Sequence, residues 1–274
     1  MTTKEKIKQA IRPHYKKTKK EISLRIKYVR EKLFGKQPDD FFNIPIIINN
    51  YNQYDYLIRL IKSLEDRGYR NIHILDNDSS YPPLLEFYKK CKYPVYLLKK
   101  NLGYLAFWIS GIYKMFFNQY FVYTDPDVVL CEECPADFME RFYKLLKRHP
   151  LACKAGFSLK IDDLPAHYPN REKVIDWESQ FWEKEIEPGV YRAPIDTTFA
   201  LYRPFTKNTR DILDKMMRTG FPYQVRHMPW YVDPSHLTEN EYFYANIIQT
   251  NSEQAKTHWS EQIKDKMSET GNVD

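Results

Sequence analysis

Short apolar runs alternate with helix-like segments along the first half of the chain. Four runs have the length and the β-branched or aromatic composition of buried strands: residues 41–49, 71–76, 95–98 and 120–124. The intervening segments place apolar residues at helical spacing, and one of them is predicted to form a single long helix from Gly103 to near Phe117. This alternation predicts an α/β fold with a mostly parallel sheet and helices on both faces.

The second half of the chain is less regular. Residues 155–161 predict a further strand, and residues 191–202 predict a strand pair interrupted at Pro194. A final helix is predicted from about Glu239, and a polar tail from residue 260.

Polar residues follow each of the predicted parallel strands. They are Asn49–Asn52, Asp76–Ser80, Asn101–Gly103, and Asp125 with Asp127. In open α/β sheets, ligands bind outside the carboxyl ends of the strands. The sequence therefore predicts one binding site, built from these four loops.

Asp125 and Asp127 are the most informative pair in these loops. Two carboxylates at the end of a buried strand are costly unless a cation is near, and Pro126 keeps Asp125 out of the helical region. Mg²⁺ and Mn²⁺ favour such oxygen ligands and are often shared with substrate phosphates. The sequence contains no glycine-rich phosphate loop, so a metal on the two aspartates would be one way to hold a diphosphate. The alternative is an ordinary Asp-Pro turn.

The basic residues are concentrated at the amino end. Residues 1–36 carry thirteen Lys or Arg against three Glu, a net charge of +10, which leaves −4 for the rest of a chain whose total is +6. Apolar residues are interleaved at helical spacing, so this segment predicts either an amphipathic helix on an anionic membrane surface or a solvated helix packed on the body. Nucleic-acid binding is not expected, because no binding motif accompanies the charge.

The cellular location is predicted to be cytoplasmic, with peripheral contact to the inner face of the cytoplasmic membrane as an option. The sequence shows no signal-peptide pattern and no apolar run approaching the ~18 residues needed to span a bilayer. Cys131 and Cys134 form a CxxC without a second pair, which fits reduced cysteines better than a zinc site.

Taken in order, these motifs resemble the GT-A glycosyltransferases, most closely the family 2 type found in bacterial polysaccharide assembly. The resemblance covers about residues 42–235 and rests on segments 44–52 and 72–80, on Asn101-Leu102-Gly103, and on Asp125-Pro126-Asp127 as the DxD motif. It implies a Rossmann-like catalytic domain with two halves. The expected division of the chain is a basic arm (1–40), a nucleotide-sugar half (41–135), an acceptor half (136–259) and a polar tail (260–274).

The resemblance also implies the ligands and their residues. The donor is expected to be a nucleotide-diphosphate sugar, with a UDP-sugar favoured, and Mn²⁺ or Mg²⁺ is expected at its diphosphate. Asp125 and Asp127 would hold the metal, and a histidine from the C-terminal part would complete the site, for which we choose His227 over its alternative as a packed histidine. Asp76 or Asp78 would contact the nucleoside. The full set expected to bind the donor is Asn49, Tyr51, Asp76, Asp78, Asn101, Gly103 and Asp125.

The expected reaction is transfer of one sugar to a hydroxyl of a glycan acceptor, such as a cell-surface polysaccharide, which could be lipid-linked. A processive synthase is not expected, because Gln224-Val225-Arg226-His227 lacks the Arg-Trp ending of the QxxRW signature. Asp196 is favoured as catalytic base, because an acid without a role would be costly among apolar residues; it could instead cap a turn after Pro194. The other candidates are Asp162, Asp163, Asp176 and Glu183.

Two other functions remain open on the sequence. A sugar-nucleotide nucleotidyltransferase would need a glycine-rich basic loop after the first strand, where the chain has Asn49-Asn50-Tyr51-Asn52-Gln53-Tyr54. An inactive GT-A-like binding module at a membrane surface would not need the intact pair Asp125 and Asp127. The oligomeric state does not follow from the sequence.

Overall fold

The structure is a computed structural model of the chain. It describes residue 18 and residues 21–195, 198–206, 215–233 and 235–250, and the side chains of 248–250 are not among those described. In this part of the chain, no helix is both long and apolar enough to cross a membrane.

The described residues form one ten-stranded sheet with helices on both faces. The strands are β1 (Ile46–Asn50), β2 (Ile72–Asp76), β3 (Val95–Leu97), β4 (Phe121–Thr124), β5 (Val128–Leu130), β6 (Lys154–Leu159), β7 (Glu185–Glu187), β8 (Val190–Tyr191), β9 (Ala200–Tyr202) and β10 (Met216–His227). The helices are α1 (residues 21–34), α2 (Tyr54–Glu65), α3 (Pro82–Lys90), α4 (Ala106–Ile109), α5 (Phe138–Arg148), α6 (Arg171–Ser179) and α7 (Glu239–Thr250).

The sheet is mostly parallel, which confirms the predicted α/β class. Its strand order is β3-β2-β1-β4-β9-β6-β10-β8-β7, with β5 paired to the end of β10. Strands β1 to β4 run parallel, β9 runs antiparallel to both β4 and β6, and β6 runs parallel to β10. The carboxyl ends of β1, β2, β3, β4, β6 and β10 therefore lie along one side of the sheet, here called the carboxyl edge.

Strand β1 shows how the two faces of the sheet are filled. All five of its residues are buried, and successive side chains point to opposite faces. Ile46 and Ile48 pack in the cluster that contains residues of α2 and α5, whereas Ile47 packs with Phe107 of α4. A strand covered on both faces reads as a continuous apolar run, which is why the sequence identifies it clearly.

Two predicted elements differ from the structure. The first strand begins at Ile46, because Phe41–Asn43 forms a 3₁₀ turn. The predicted long helix from Gly103 to Phe117 is wrong: it is broken into a 3₁₀ turn, α4 and a second 3₁₀ turn at Ile112–Met115. Gly111 lies between the last two with φ of 82°, a left-handed conformation that ends a helix and that glycine adopts without a Cβ clash.

Helix α1 is docked on the body through a buried ion pair. Glu31 is 1% exposed, and its carboxylate accepts hydrogen bonds from Arg203 Nη1 at 2.6 Å and from the hydroxyl of Tyr120. Arg203 also donates from Nε to the carbonyl of Ala152, so both charges are satisfied. Just after the helix, the amide of Lys36 donates to the carbonyl of Asn118. These contacts place α1 at the side of the sheet opposite the carboxyl edge, near the start of β4 and the end of β9.

Candidate active site

The loops after β1 and β2 are joined by the side chain of Asn52. This residue is fully buried and left-handed, with φ of 57°. Its Oδ1 accepts hydrogen bonds from the amides of Ser80 and Tyr81 at 2.7 and 2.9 Å, and its own amide donates to Ser79 Oγ. Asparagine suits this position because it tolerates the left-handed region and bonds nearby backbone. The two loops therefore form one surface.

Asp76 and Asp78 have different surroundings. Asp76 is 2% exposed, and its two carboxylate oxygens accept from the hydroxyl of Tyr88 and from the amide of Ser79, both at 2.9 Å. Burial and the neighbouring charge of Asp76 raise the pKa of Tyr88, so the hydroxyl stays a donor. Asp78 is exposed, with φ of 72°. Asp76 thus shapes the loop, and Asp78 presents its carboxylate to solvent.

Asn77 connects this loop to the one after β3. Its Nδ2 donates to Asn101 Oδ1 at 2.8 Å and to the carbonyl of Gly103 at 3.1 Å, and its Oδ1 accepts from the amide of Leu102. Gly103 has φ of 67°, and its amide donates to Asn101 Oδ1. The structure thereby brings together three of the polar segments that the sequence places at the carboxyl edge.

Asp125 and Asp127 follow β4 at the same edge, and His227 meets Asp127 there. Strand β5, which begins directly after Asp127, pairs antiparallel with the end of β10, so that His227 lies opposite Val128. The Nε2 of His227 is 3.4 Å from Oδ2 of Asp127, and both side chains are partly exposed. The Nδ1 of His227 is buried and has no hydrogen-bond partner among the described residues. Trp230 packs edge-on against the imidazole, with ring centroids 4.8 Å apart.

These residues fit a divalent cation that is shared with a ligand. Two carboxylates and an imidazole are donors that Mn²⁺ accepts, and Nε2 is the ring nitrogen of His227 that faces Asp127. Within the described residues, however, no group of three or more His, Cys, Asp or Glu side chains is placed to hold a metal ion. Mg²⁺ is commonly held by one or two carboxylates together with substrate phosphates, which agrees with this incomplete set.

Helix α7 closes one side of the site, a role that the sequence did not suggest. Asn240 Oδ1 accepts from the amides of Tyr54 and Asp55 at 2.8 and 3.2 Å, and its Nδ2 donates to the carbonyl of Asn52. The first amides of a helix lack partners within it, and Gln53 at the start of α2 supplies no side-chain cap. Asn240 therefore caps α2 from a distant part of the chain. The sequence around Asn240 carries no local signal of this role.

Tyrosines from α7 and α2 lie near the two aspartates. The pKa of Tyr244 is raised by burial and further by the charges of Asp127 and Asp125. The pKa of Tyr56 is raised by burial and by Glu241, which accepts from its hydroxyl at 2.8 Å. The ring of Tyr51, after β1, meets the ring of Tyr244 edge-on at 6.5 Å. Tyr51, which the sequence analysis expects to bind the sugar-nucleotide donor, thus packs against α7 beside Asp125 and Asp127.

Asn49 lies near the end of β1, at the same carboxyl edge. It is 8% exposed, and its Oδ1 has no hydrogen-bond partner within the described residues. The Oδ1 of its neighbour Asn50 is in the same state, while Asn50 Nδ2 donates to Tyr88. Buried amide oxygens of this kind are uncommon in a packed interior and common where a ligand binds.

The candidates for catalytic base are separated by their surroundings. Asp163, after β6, is held by Arg226 at 2.7 Å and by the hydroxyl of Tyr231; burial raises its pKa, but these partners outweigh burial and lower it. Asp162 is exposed and paired with Lys160, and Asp176 and Glu183 are exposed as well.

The favoured base, Asp196, lies outside the described residues. The chain is described again from Thr198 and enters β9 at Ala200. Because β9 is antiparallel to β4, the chain enters it from the carboxyl edge.

Burial explains why the CxxC takes no part in this site. Burial raises the pKa of Cys131 to about 11 and that of Cys134 to about 12, so both thiols stay protonated near neutral pH. Arg67 donates to the carbonyl oxygens of both residues, which fixes the backbone after β5.

The family assignment follows from a sequence comparison. Residues 46–216, more than half of the chain, match the family described as "Glycosyl transferase family 2". A comparison with curated proteins gave no match. The chain belongs to glycosyl transferase family 2, and it is a glycosyltransferase with a GT-A fold. The matched region ends before His227 and α7, so the family match covers neither of them.

Proposed function

We propose that this protein transfers a single sugar from a nucleotide-diphosphate donor, with a UDP-sugar favoured, to a hydroxyl of a glycan acceptor. The observation that carries the proposal is the meeting of Asp127 and His227 at the carboxyl edge of a family 2 domain, beside Asp125. Ligands bind at this edge of such sheets, and two carboxylates with an imidazole match the charge of a diphosphate with its cation.

The cation would be Mn²⁺ or Mg²⁺, held by Asp125, Asp127 and His227 together with the diphosphate. When bound, it would stabilise the negative charge that develops on the leaving diphosphate. The chain's own residues would do the rest: Asp78 would contact the nucleoside, and Asp76 would hold the loop that carries Asp78. Asn49, Tyr51, Asn101 and Gly103 would line the donor site.

The acceptor proton needs a carboxylate, for which Asp196 remains our choice. Asp163 is a poor alternative, because Arg226 and Tyr231 already occupy both of its oxygens and its lowered pKa makes it a weak base. A base must lie within hydrogen-bond reach of the acceptor hydroxyl, so the substitutions Asp196→Asn and Asp163→Asn compare the two candidates directly.

Calorimetric titration of UDP and GDP, each with and without Mn²⁺, tests the donor site. We expect one nucleotide to bind in a metal-dependent way, and Asp127→Asn to abolish the metal dependence. Mn²⁺ alone should bind weakly, because the protein supplies an incomplete ligand set. Asp162→Asn is the matched control: it removes an exposed carboxylate at the same edge and should leave nucleotide binding unchanged.

Two other outcomes would favour the alternative functions. Nucleotide binding without any transfer to glycan acceptors would support an inactive GT-A-like binding module. Synthesis of a sugar nucleotide from a nucleoside triphosphate and a sugar phosphate would support a nucleotidyltransferase. Failure of both nucleotides to bind under any condition would contradict the proposed donor site.

A further inference from the structure

The outward face of α1 is apolar in a regular pattern. Ile22, Ile26, Val29 and Leu33 are 52%, 62%, 54% and 68% exposed. Their spacing of four, three and four residues places them in one stripe along a helix of about 3.6 residues per turn. We call these four residues the outer stripe.

The opposite face of the same helix is already occupied. Leu24 and Glu31 are 5% and 1% exposed, and they lie about half a turn away from the outer stripe. Leu24 packs in the cluster with Phe107, and Glu31 pairs with Arg203. The outer stripe therefore cannot be the face by which α1 binds its own body, so the option of a helix that is merely solvated and packed does not explain it.

Basic residues border the outer stripe. Arg25 and Lys32 are exposed on one side of it, and Arg30 lies on the other, with its guanidinium 4.3 Å from the ring centroid of Phe205. Of the two acidic residues of α1, Glu31 is buried on the opposite face, and Glu21, which lies on the same side as Arg25 and Lys32, is partly buried at the start of the helix. Apolar residues with flanking Lys and Arg are the arrangement by which a helix lies at an anionic lipid surface, with the long basic side chains reaching the head groups.

We propose that the outer stripe binds an anionic lipid bilayer, with Arg25 and Lys32 contacting the lipid phosphates. Charge decides between a bilayer and a second copy of the chain. Two copies of α1 packed along this stripe would bring Arg25 and Lys32 of each copy against the same residues of the other, and like charges beside such a seam oppose pairing. Residues 1–36, with thirteen Lys or Arg and three Glu, add the attraction that an anionic surface offers.

The test is sedimentation of the full chain with vesicles of phosphatidylglycerol and phosphatidylcholine, compared with pure phosphatidylcholine. We expect binding to the first and little to the second. The paired substitution Ile26→Ser with Leu33→Ser should weaken binding on the order of a hundredfold, because two large side chains no longer enter the lipid. Arg25→Gln with Lys32→Gln should weaken it about tenfold and reduce its salt dependence.

Leu97→Ser is the matched control, because Leu97 is 64% exposed but lies on β3. It should leave vesicle binding unchanged. Unchanged binding of the Ile26→Ser/Leu33→Ser variant would overturn the proposal and assign the attraction to charge elsewhere. The proposal would also be overturned by two results together. They are a parent protein that does not bind vesicles but is a dimer in light scattering, and an Ile26→Ser/Leu33→Ser variant that is a monomer.

Nucleotide binding is measured on the same variants to keep the two proposals apart. The outer stripe is remote from the carboxyl edge, so metal-dependent nucleotide binding should be unchanged in the two double variants of α1. Loss of vesicle binding with intact nucleotide binding would separate the membrane contact from catalysis.

Discussion

The charged residues at the two ends of β4 differ in their burial and in their hydrogen-bond partners. At its start, Glu31 and Arg203 are buried, 1% and 5% exposed, and both are satisfied by hydrogen bonds to the chain. At its end, Asp127 and His227 are partly exposed, and Nε2 of His227 is 3.4 Å from Oδ2 of Asp127. The other ring nitrogen of His227, Nδ1, is buried and has no hydrogen-bond partner among the described residues. In a buried pair whose partners are all in the chain, removal of one charge leaves the other uncompensated and destabilises the fold. A pair with unused donors and acceptors is available to a ligand.

The largest effect is expected at the end of β4, on the carboxyl edge. Asp127→Asn should lower the rate of sugar transfer about a thousandfold, because the neutral amide cannot hold the cation that would balance the diphosphate. The midpoint of urea unfolding should stay within the error of the parent. If the unfolding midpoint falls along with the activity, then the pair of Asp127 and His227 also stabilises the fold. It would then not differ in this respect from the pair of Glu31 and Arg203.

A substitution at the start of β4 should lower stability and leave nucleotide binding intact. Glu31→Gln leaves Arg203 buried without a counter-charge, and we expect the free energy of unfolding in urea to fall by about 3 kcal/mol. Metal-dependent nucleotide binding to the folded protein should be retained. The double variant Glu31→Met with Arg203→Met should recover much of the loss; if it does not, packing rather than the unpaired charge is the cause.

A smaller effect is expected where α7 caps α2. Asn240→Ala removes the acceptor for the amides of Tyr54 and Asp55 and should cost about 1 kcal/mol of stability in urea unfolding. Because Asn240 also holds the carbonyl of Asn52, nucleotide binding should weaken too. Tyr242→Ala changes a 52% exposed residue of the same helix and serves as the control. Equal losses in the two variants would contradict the capping role.

The smallest effect concerns pH at the carboxyl edge. The folded protein lowers the pKa of Asp163 through Tyr231 and Arg226, against the opposing effect of burial, so this acid stabilises the fold above its unfolded pKa of about 3.9. That stability should be lost as pH falls from 5 through the folded pKa. Urea unfolding at several pH values should show a shallower acid dependence for Asp163→Asn than for the parent, and no change for Asp162→Asn, whose side chain is exposed.

The sequence predicted β1 to β4 and the polar residues that follow them because those signals are local, whereas β5, β7 and β10 were not predicted. A strand buried on both faces is a continuous apolar run, and the polar residues after β1, β2, β3 and β4 follow such runs directly. The break at Gly111 was missed because the flanking residues are apolar and keep helical spacing, so one glycine was not enough to end the predicted helix.

The contacts made by α7 could not be predicted from the sequence. Asn240 and Asn52 are far apart along the chain, and nothing local to either residue indicates that one caps a helix beside the other. The difference between Asp76 and Asp78 was hidden for a similar reason. Asp76 and Asp78 look equivalent in the sequence, but in the structure Tyr88 and Ser79 donate hydrogen bonds to both carboxylate oxygens of Asp76.

The position of α1 relative to the aspartates would set a minimum reach for a lipid-linked acceptor, if both proposals hold. Glu31 touches Tyr120, just before β4, and Asp125 comes just after it, so the strand separates the two by roughly 16 Å. A protein lying on a bilayer through its outer stripe would face its carboxyl edge toward the bulk solution. A glycan attached to lipid would then become a substrate only above a minimum chain length, long enough for its free end to stand clear of the surface.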